Sequence, residues 1–223
     1  MPVLTESYLK IAADARQKRA TLVAVSKTKP VSDIESLYGS GHRDFGENYV
    51  QELTEKQPLL PEDIRWHFIG HLQSNKVKYI APFVYMIHGV ESLKLLREIN
   101  KQGTKFSRKI RCLLQLHVAA EETKFGLDET ELNELLQQVS ESDEMEYVQI
   151  CGVMAMASFT EDHEQIRREF KTVKRIFDDV KEKFFYHDDE FSQISMGMSS
   201  DYSIALEEGS TMIRVGSLIF GER

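Results

Sequence analysis

The sequence predicts an α/β protein, a single-domain (β/α)8 TIM barrel preceded by an extra N-terminal helix. Three observations predict it. Short β-rich runs alternate with helix-period stretches eight times within 223 residues, a length that α/β barrels routinely use for one domain. No repeat, low-complexity tract or Pro/Gly-rich linker divides the chain, so residues 1–223 read as one unit. The dinucleotide fingerprint G-x-G-x-x-G does not follow the first strand, which weakens the alternative of an open doubly wound sheet.

Taken in order, residues 6–19 are amphipathic and predict the opening helix. The first half of the barrel is read from "TLVAVSK" 21–27, "RDFGE" 43–47, "RWHFIG" 65–70 and "YMIHGV" 85–90. The second half is read from "IRCLLQLHV" 110–118, "VQICGVMAM" 148–156, "SQISMG" 192–197 and "MIRVGSL" 212–218. The clearest helix is 161–185, where Ile166, Phe170, Val173, Phe177, Val180 and Phe184 recur at steps of three to four and form one apolar, core-facing stripe.

Composition excludes several classes. Lys and Arg number 28 against 36 Asp and Glu, a net charge of −8, so the broad positive field that nucleic acid requires is absent. Cys112 and Cys151 lie inside apolar runs without C-x-x-C spacing, which reads as reduced core thiols in a cytoplasmic protein. No stretch approaches the ~18 apolar residues of a membrane span.

In such a barrel the chemistry sits at the carboxyl ends of the strands. Alternation puts Val23, Val25 and Lys27 on one face of the first strand, so Lys27 is expected to point into the barrel mouth unless it merely reaches to solvent. The seventh-strand segment "QISMGMSSDYSIALEEGS" carries Ser195, Ser199 and Ser200 into a helix capped among Ser199, Ser200 and Asp201. The eighth strand ends in Gly216 and Ser217. Hydroxyls, glycines and free N–H groups at these two loops suit a phosphate, though ordinary turns use the same residues. Arg214 shares a face with Met212 and Gly216, so its buried guanidinium needs an acceptor: a barrel carboxylate such as Glu47, or a heterocyclic ring nitrogen. One ligand accounts for aldehyde-seeking lysine, phosphate loops and ring-facing arginine together: pyridoxal 5′-phosphate (PLP).

The stretches "AVSKTKP", "FGENYVQE", "WHFIGHLQSNK", "KFG", "SMGMSSDY" and "IRVGSLIFG" resemble the pyridoxal phosphate homeostasis protein family, relatives of the alanine racemase barrel, over nearly the whole chain. The resemblance implies a fold-type III barrel in which Lys27 holds PLP as a Schiff base. It also implies phosphate contacts from Ser199, Ser200, Gly216 and Ser217, Arg214 beside the pyridine nitrogen, and Asn48 close to the cofactor. The chain departs from the family pattern at His117, where many relatives carry Asn, which bears on local contacts at that strand end.

His67 and His71 have H-x3-H spacing but no intervening Glu on a helix, so no metal site is expected. Met154 and Met156 read as core packing or as residues facing the ring, and Lys124 as a loop lysine or a second amine. The chain ends at Arg223, just past the eighth strand. A racemase-type C-terminal domain with its catalytic tyrosine is therefore not expected, and neither are catalytic residues. The expectation is a cytoplasmic monomer that holds PLP and passes it to PLP-dependent apoenzymes. Alternatives are a weak amino-acid racemase or a cofactor-free Schiff-base aldolase.

Overall fold

Among the described residues eight short strands run parallel, each paired with its neighbour in the chain, and the eighth pairs back onto the first to close a barrel. The computed structural model describes residues 5–119, 125–142 and 144–222. The strands are β1 (Thr21–Val25), β2 (Asp44–Glu47), β3 (Arg65–Phe68), β4 (Met86–Val90), β5 (Ile110–Leu116), β6 (Val148–Ala155), β7 (Gln193–Ser195) and β8 (Met212–Val215). Each falls inside the run that predicted it and is trimmed at its ends. The opening helix α1 (Thr5–Gln17) packs against β1. A helix then follows every strand: α2 (Val31–Gly39), α3 (Val50–Lys56), α4 (Val77–Ile80), α5 (Leu93–Lys105), α6 (Glu129–Ser140), α7 (His163–Phe184), α8 (Tyr202–Glu207) and α9 (Ser217–Phe220).

Strand alternation divides the core in two. Outward side chains such as Ala24, Phe45, Trp66, Phe68, Cys112 and Ile213 join the helices in one large apolar cluster. Inward ones form a separate small cluster of Val23, Met86, Leu113, Cys151, Met154 and Met212. The α7 stripe is buried in the outer layer from Ile166 to Val180, with Ile176 added to it, and Asp162 caps the helix by accepting from the N–H groups of Glu164 and Gln165. Truncating Phe170 there costs about 3–5 kcal/mol.

Gly152 sets the phase of the inner layer. Its φ is +149°, and a Cβ would lie 1.8 Å from the Gln193 carbonyl oxygen. The register between β5 and β6 shifts beside it, between Cys112 and Leu113. The extra residue lets Cys151 and Met154 both join the inner cluster while Val153 joins the outer one. Among the described residues no helix is long and apolar enough to cross a membrane.

Candidate functional site

The carboxyl ends of the strands surround a cavity of about 410 Å³, within the ~300–1,000 Å³ of small-molecule sites. Its walls include all seven residues singled out from the sequence: Lys27, Asn48, Ser199, Ser200, Arg214, Gly216 and Ser217. They come from four separate segments of the chain. Met156 and Phe159 complete the wall beyond β6, and Phe159 is almost wholly exposed, at 94%.

Lys27 stands two residues beyond β1, and both its neighbours are anchored. Ser26 donates its backbone N–H to the Gly46 carbonyl and its hydroxyl to Glu47 Oε1 at 2.7 Å. Thr28 has a φ of +63°, a region a β-branched residue occupies only under constraint, and donates its N–H to Glu52 Oε1 at 2.5 Å. Lys56 ties the two sides together. Its ammonium donates to the Ser26 carbonyl, Glu47 Oε1 and Glu52 Oε1 at 2.6–2.8 Å. Burial pushes the Glu47 carboxyl up, and Lys56 offsets this only in part. Lys56 and Glu52 gave no signal in the sequence because each is an ordinary charged residue on a helix. Their role depends on α3 lying over the end of β1.

Asn48 follows β2, and its backbone is gripped closely: a Cβ on Gly70 would lie 2.2 Å from the Asn48 carbonyl oxygen. Its side-chain Oδ1 is buried with no hydrogen-bond partner among the described residues. A buried orphan acceptor on a cavity wall is a place where a ligand donor or a water belongs.

Arg214 is 4% exposed and makes no contact with Glu47. The carboxylate option for it is corrected: Glu47 Oε1 accepts from Ser26 and Lys56, while its Oε2 is buried with no hydrogen-bond partner among the described residues. Instead Nη1 donates to the Ser195 carbonyl and hydroxyl at 2.8 and 2.7 Å, and Nη2 donates to the Ala155 carbonyl at 3.0 Å. These acceptors are neutral, and N–H capacity remains on Nε and Nη2. Burial lowers the guanidinium to about 10, with Asp201 acting in the opposite sense, so it stays charged near neutrality. Ser195 is a second correction. It faces down the barrel interior, fully buried, and is not part of the loop that carries Ser199 and Ser200.

Ser199 and Ser200 form the turn before α8. Asp201 sits at the N-cap but spends its Oδ1 on the Met198 N–H at 2.6 Å. On the other side Gly216 precedes α9, whose first N–H groups, from Ser217 and Leu218, have no acceptor within so short a helix. Ser199, Ser200 and Ser217 line the cavity, and because β8 pairs with β1 the Gly216–Ser217 end lies beside the Lys27 segment.

The weaker candidates separate. His67 points into the barrel interior, whereas His71 stacks on Phe125 at the top, ring centroids 4.5 Å apart, with Nδ1 3.2 Å from Glu91. The two therefore share no ligand. Met154 packs in the inner cluster and Met156 lines the cavity. The backbone N–H of His117 donates to the Leu127 carbonyl. Lys124 lies outside the described residues.

The chain matches the family model of the alanine racemase N-terminal domain over residues 4–223. It is 37% identical over 205 residues to the pyridoxal phosphate homeostasis protein of Aquifex aeolicus, covering 92% of this chain and 87% of that one. The corresponding protein of Homo sapiens is 38% identical over 214 residues, with coverage of 91% and 76%. A solved structure of PipY from Synechococcus elongatus with PLP bound superposes with a TM-score of 0.87 at 31% identity, covering 98% of this chain and all of that one. A (β/α)8 barrel matched over nearly its full length by these relatives belongs to the pyridoxal phosphate homeostasis protein family, within the alanine racemase N-terminal domain class.

Proposed function

We propose that this chain binds PLP in the upper cavity and serves its homeostasis, holding the cofactor and releasing it to apoenzymes. The observation that carries this reading is the convergence on one 410 Å³ cavity of an amine, an arginine with neutral partners, an orphan amide oxygen and a cluster of hydroxyls and helix-start amides. That donor set fits PLP. Bound, the cofactor supplies an aldehyde carbon open to attack by an amine. Lys27 supplies an amine on the cavity wall, and its anchored neighbours fix the direction from which its side chain enters, whereas Lys29, also on the wall, donates from its Nζ to the Gly221 and Glu222 carbonyls. Arg214 presents a hydrogen to an acceptor nitrogen without giving up its proton, since burial lowers it only to about 10 and it stays charged at pH 7. Ser199, Ser200 and Ser217, with the amides at the start of α9, receive a phosphate. Met156, Ile69 and Val25 supply apolar wall that excludes water from a flat ring. The PLP bound to PipY supports the assignment, as do the names of the relatives. Cytoplasmic location and a monomeric state are part of the same reading.

The decisive measurement is the absorption spectrum of the purified protein with and without added PLP. A visible band that Lys27→Ala abolishes supports the reading. A wild-type protein that stays colourless after incubation with PLP sinks it. Mixing loaded protein with a PLP-dependent apoenzyme, beside an assay of amino-acid racemisation, separates carrier from catalyst: racemase turnover of about 1–10³ per second identifies an enzyme instead.

A further inference from the structure

The barrel interior is not wholly apolar. A continuous line of hydrogen bonds crosses it from the amino ends of the strands to the cavity. Arg65 grips Asp44 with two bonds, Nε to Oδ1 at 2.7 Å and Nη2 to Oδ2 at 2.5 Å. Asp44 Oδ1 lies 3.1 Å from His67 Nε2, and His67 Nδ1 lies 2.9 Å from His88 Nε2. His88 Nδ1 is 3.1 Å from the Ser195 hydroxyl, which is 2.7 Å from Arg214 Nη1. The line passes from β2 through β3 to β4, then crosses the lumen to β7 and β8. His67, His88 and Ser195 are fully buried, sheathed by Met86, Leu113, Cys151, Met154 and Met212.

Chemistry fixes the polarity of this line from both ends. Burial raises the Asp44 carboxyl, but the bonds from Arg65 and His67 outweigh it and hold the group well below the usual carboxylate range, so it only accepts. His67 must then carry its hydrogen on Nε2. Burial depresses both imidazoles and keeps them neutral. A neutral His67 therefore accepts at Nδ1 from His88 Nε2–H, and His88 in turn accepts at Nδ1 from the Ser195 hydroxyl. That leaves Ser195 Oγ as an acceptor for Arg214, which is a donor only. The two ends agree, and every bond points toward Asp44. The charged and titratable groups that face the line are Asp44 and Arg65 below, His42 on the Asp44 carbonyl at 2.8 Å, Tyr85 against the His67 ring at 5.3 Å, and Arg214 with Asp201 above.

We propose that Asp44, His67, His88 and Ser195 form an axial relay that orients Arg214, making them positioning residues for the ring-facing donor of the upper cavity. Each bond polarises the next in a low-dielectric sheath. A change at the lower mouth is therefore felt at Arg214 across the length of the strands. The second half of the idea, its effect on a bound ligand, rests on the cavity being the PLP site.

The test has two arms. In the protein without PLP, ¹⁵N NMR of the imidazoles reads tautomer and charge: His67 and His88 should both be neutral with the hydrogen on Nε2 and should not titrate between about pH 5.5 and 8. An Nδ1–H tautomer or a charged ring at pH 7 overturns the relay. In the loaded protein, Ser195→Ala should weaken PLP uptake about 10-fold. Asp44→Asn, far from the cavity, should move the pH midpoint of the visible band by about half a unit or more. Ile176→Val, a core change in α7, should leave the band where it is. A band in Asp44→Asn and Ser195→Ala that superimposes on wild type overturns the positioning role. His88→Leu repeats the measurement should either variant fail to fold. A protein that takes up no PLP overturns the reading of the cavity, while the NMR arm still decides the relay.

Discussion

The two mouths of the barrel treat their arginines differently. At the lower mouth a pocket of about 210 Å³ is lined by Arg65 and Arg111, and each has a carboxylate of its own: Arg65 holds Asp44 through two bonds, and Arg111 reaches Glu190 at 3.0 Å. At the upper mouth Arg214 donates to two carbonyls and a hydroxyl, Asn48 keeps an orphan oxygen, and the cavity is about twice as large. At the lower mouth each guanidinium is thus matched by a carboxylate charge. The upper one has unspent donors and acceptors held rigidly in place, the condition under which a ligand gains affinity without paying for reorganisation.

The largest break in that comparison comes from Lys27→Arg. It keeps a cation at the upper mouth but removes the amine, and PLP uptake measured by equilibrium dialysis should fall by about 10²-fold or more with loss of the visible band. Unfolding in urea should barely change. Next in size is the phosphate flank. Pyridoxal without its phosphate should bind about 10- to 100-fold more weakly than PLP, and the double change Ser199→Ala, Ser217→Ala should narrow that gap. If the gap is unaltered in the variant, the phosphate goes elsewhere.

Acid sharpens the contrast along the axis. Burial depresses His67 and His88, and also His42, so the unfolded chain takes up protons that the folded one refuses. Stability is thus fully present above the ordinary histidine range near 6.5 and is lost as pH falls, by about 1.4 kcal/mol per pH unit for each such ring. Glu47, pushed up by burial, acts in the opposite sense nearer the carboxylate range, which leaves about pH 6.5 to 5 as the window to measure. Urea unfolding across it should show the slope, and His67→Gln should flatten it. The smallest effect belongs to the outer pair of the lower mouth. Arg111 and Glu190 have side chains 39% and 56% exposed, so Arg111→Ala should cost less than about 1 kcal/mol and leave PLP uptake unchanged.

Sequence alone determined the alternation that makes the barrel, because period-2 and period-3.6 apolar patterns are properties of neighbouring residues: "TLVAVSK" is readable as a strand, and Ile166 to Val180 as a buried stripe, without knowing what they touch. Strand-end position in a barrel also pointed to Lys27, Ser199, Ser200, Arg214, Gly216 and Ser217, while Asn48 came only from the family resemblance; all seven line the upper cavity. Tertiary structure decided partners. Glu47 belongs to Lys56 and Ser26, Ser195 turns inward to Arg214 and His88, and Lys56 and Glu52 brace Lys27 from a helix whose own pattern is unremarked. Asp44, His67, His88 and Ser195 are spread over 152 positions of chain, from 44 to 195, on four strands. Nothing local marks a histidine as donating to another histidine, because the distance between side chains on different strands is set by barrel closure and strand register. The physical reason is that hydrogen bonds are directional and short: sequence spacing says which face a residue occupies, and only the closed sheet says what waits across the lumen.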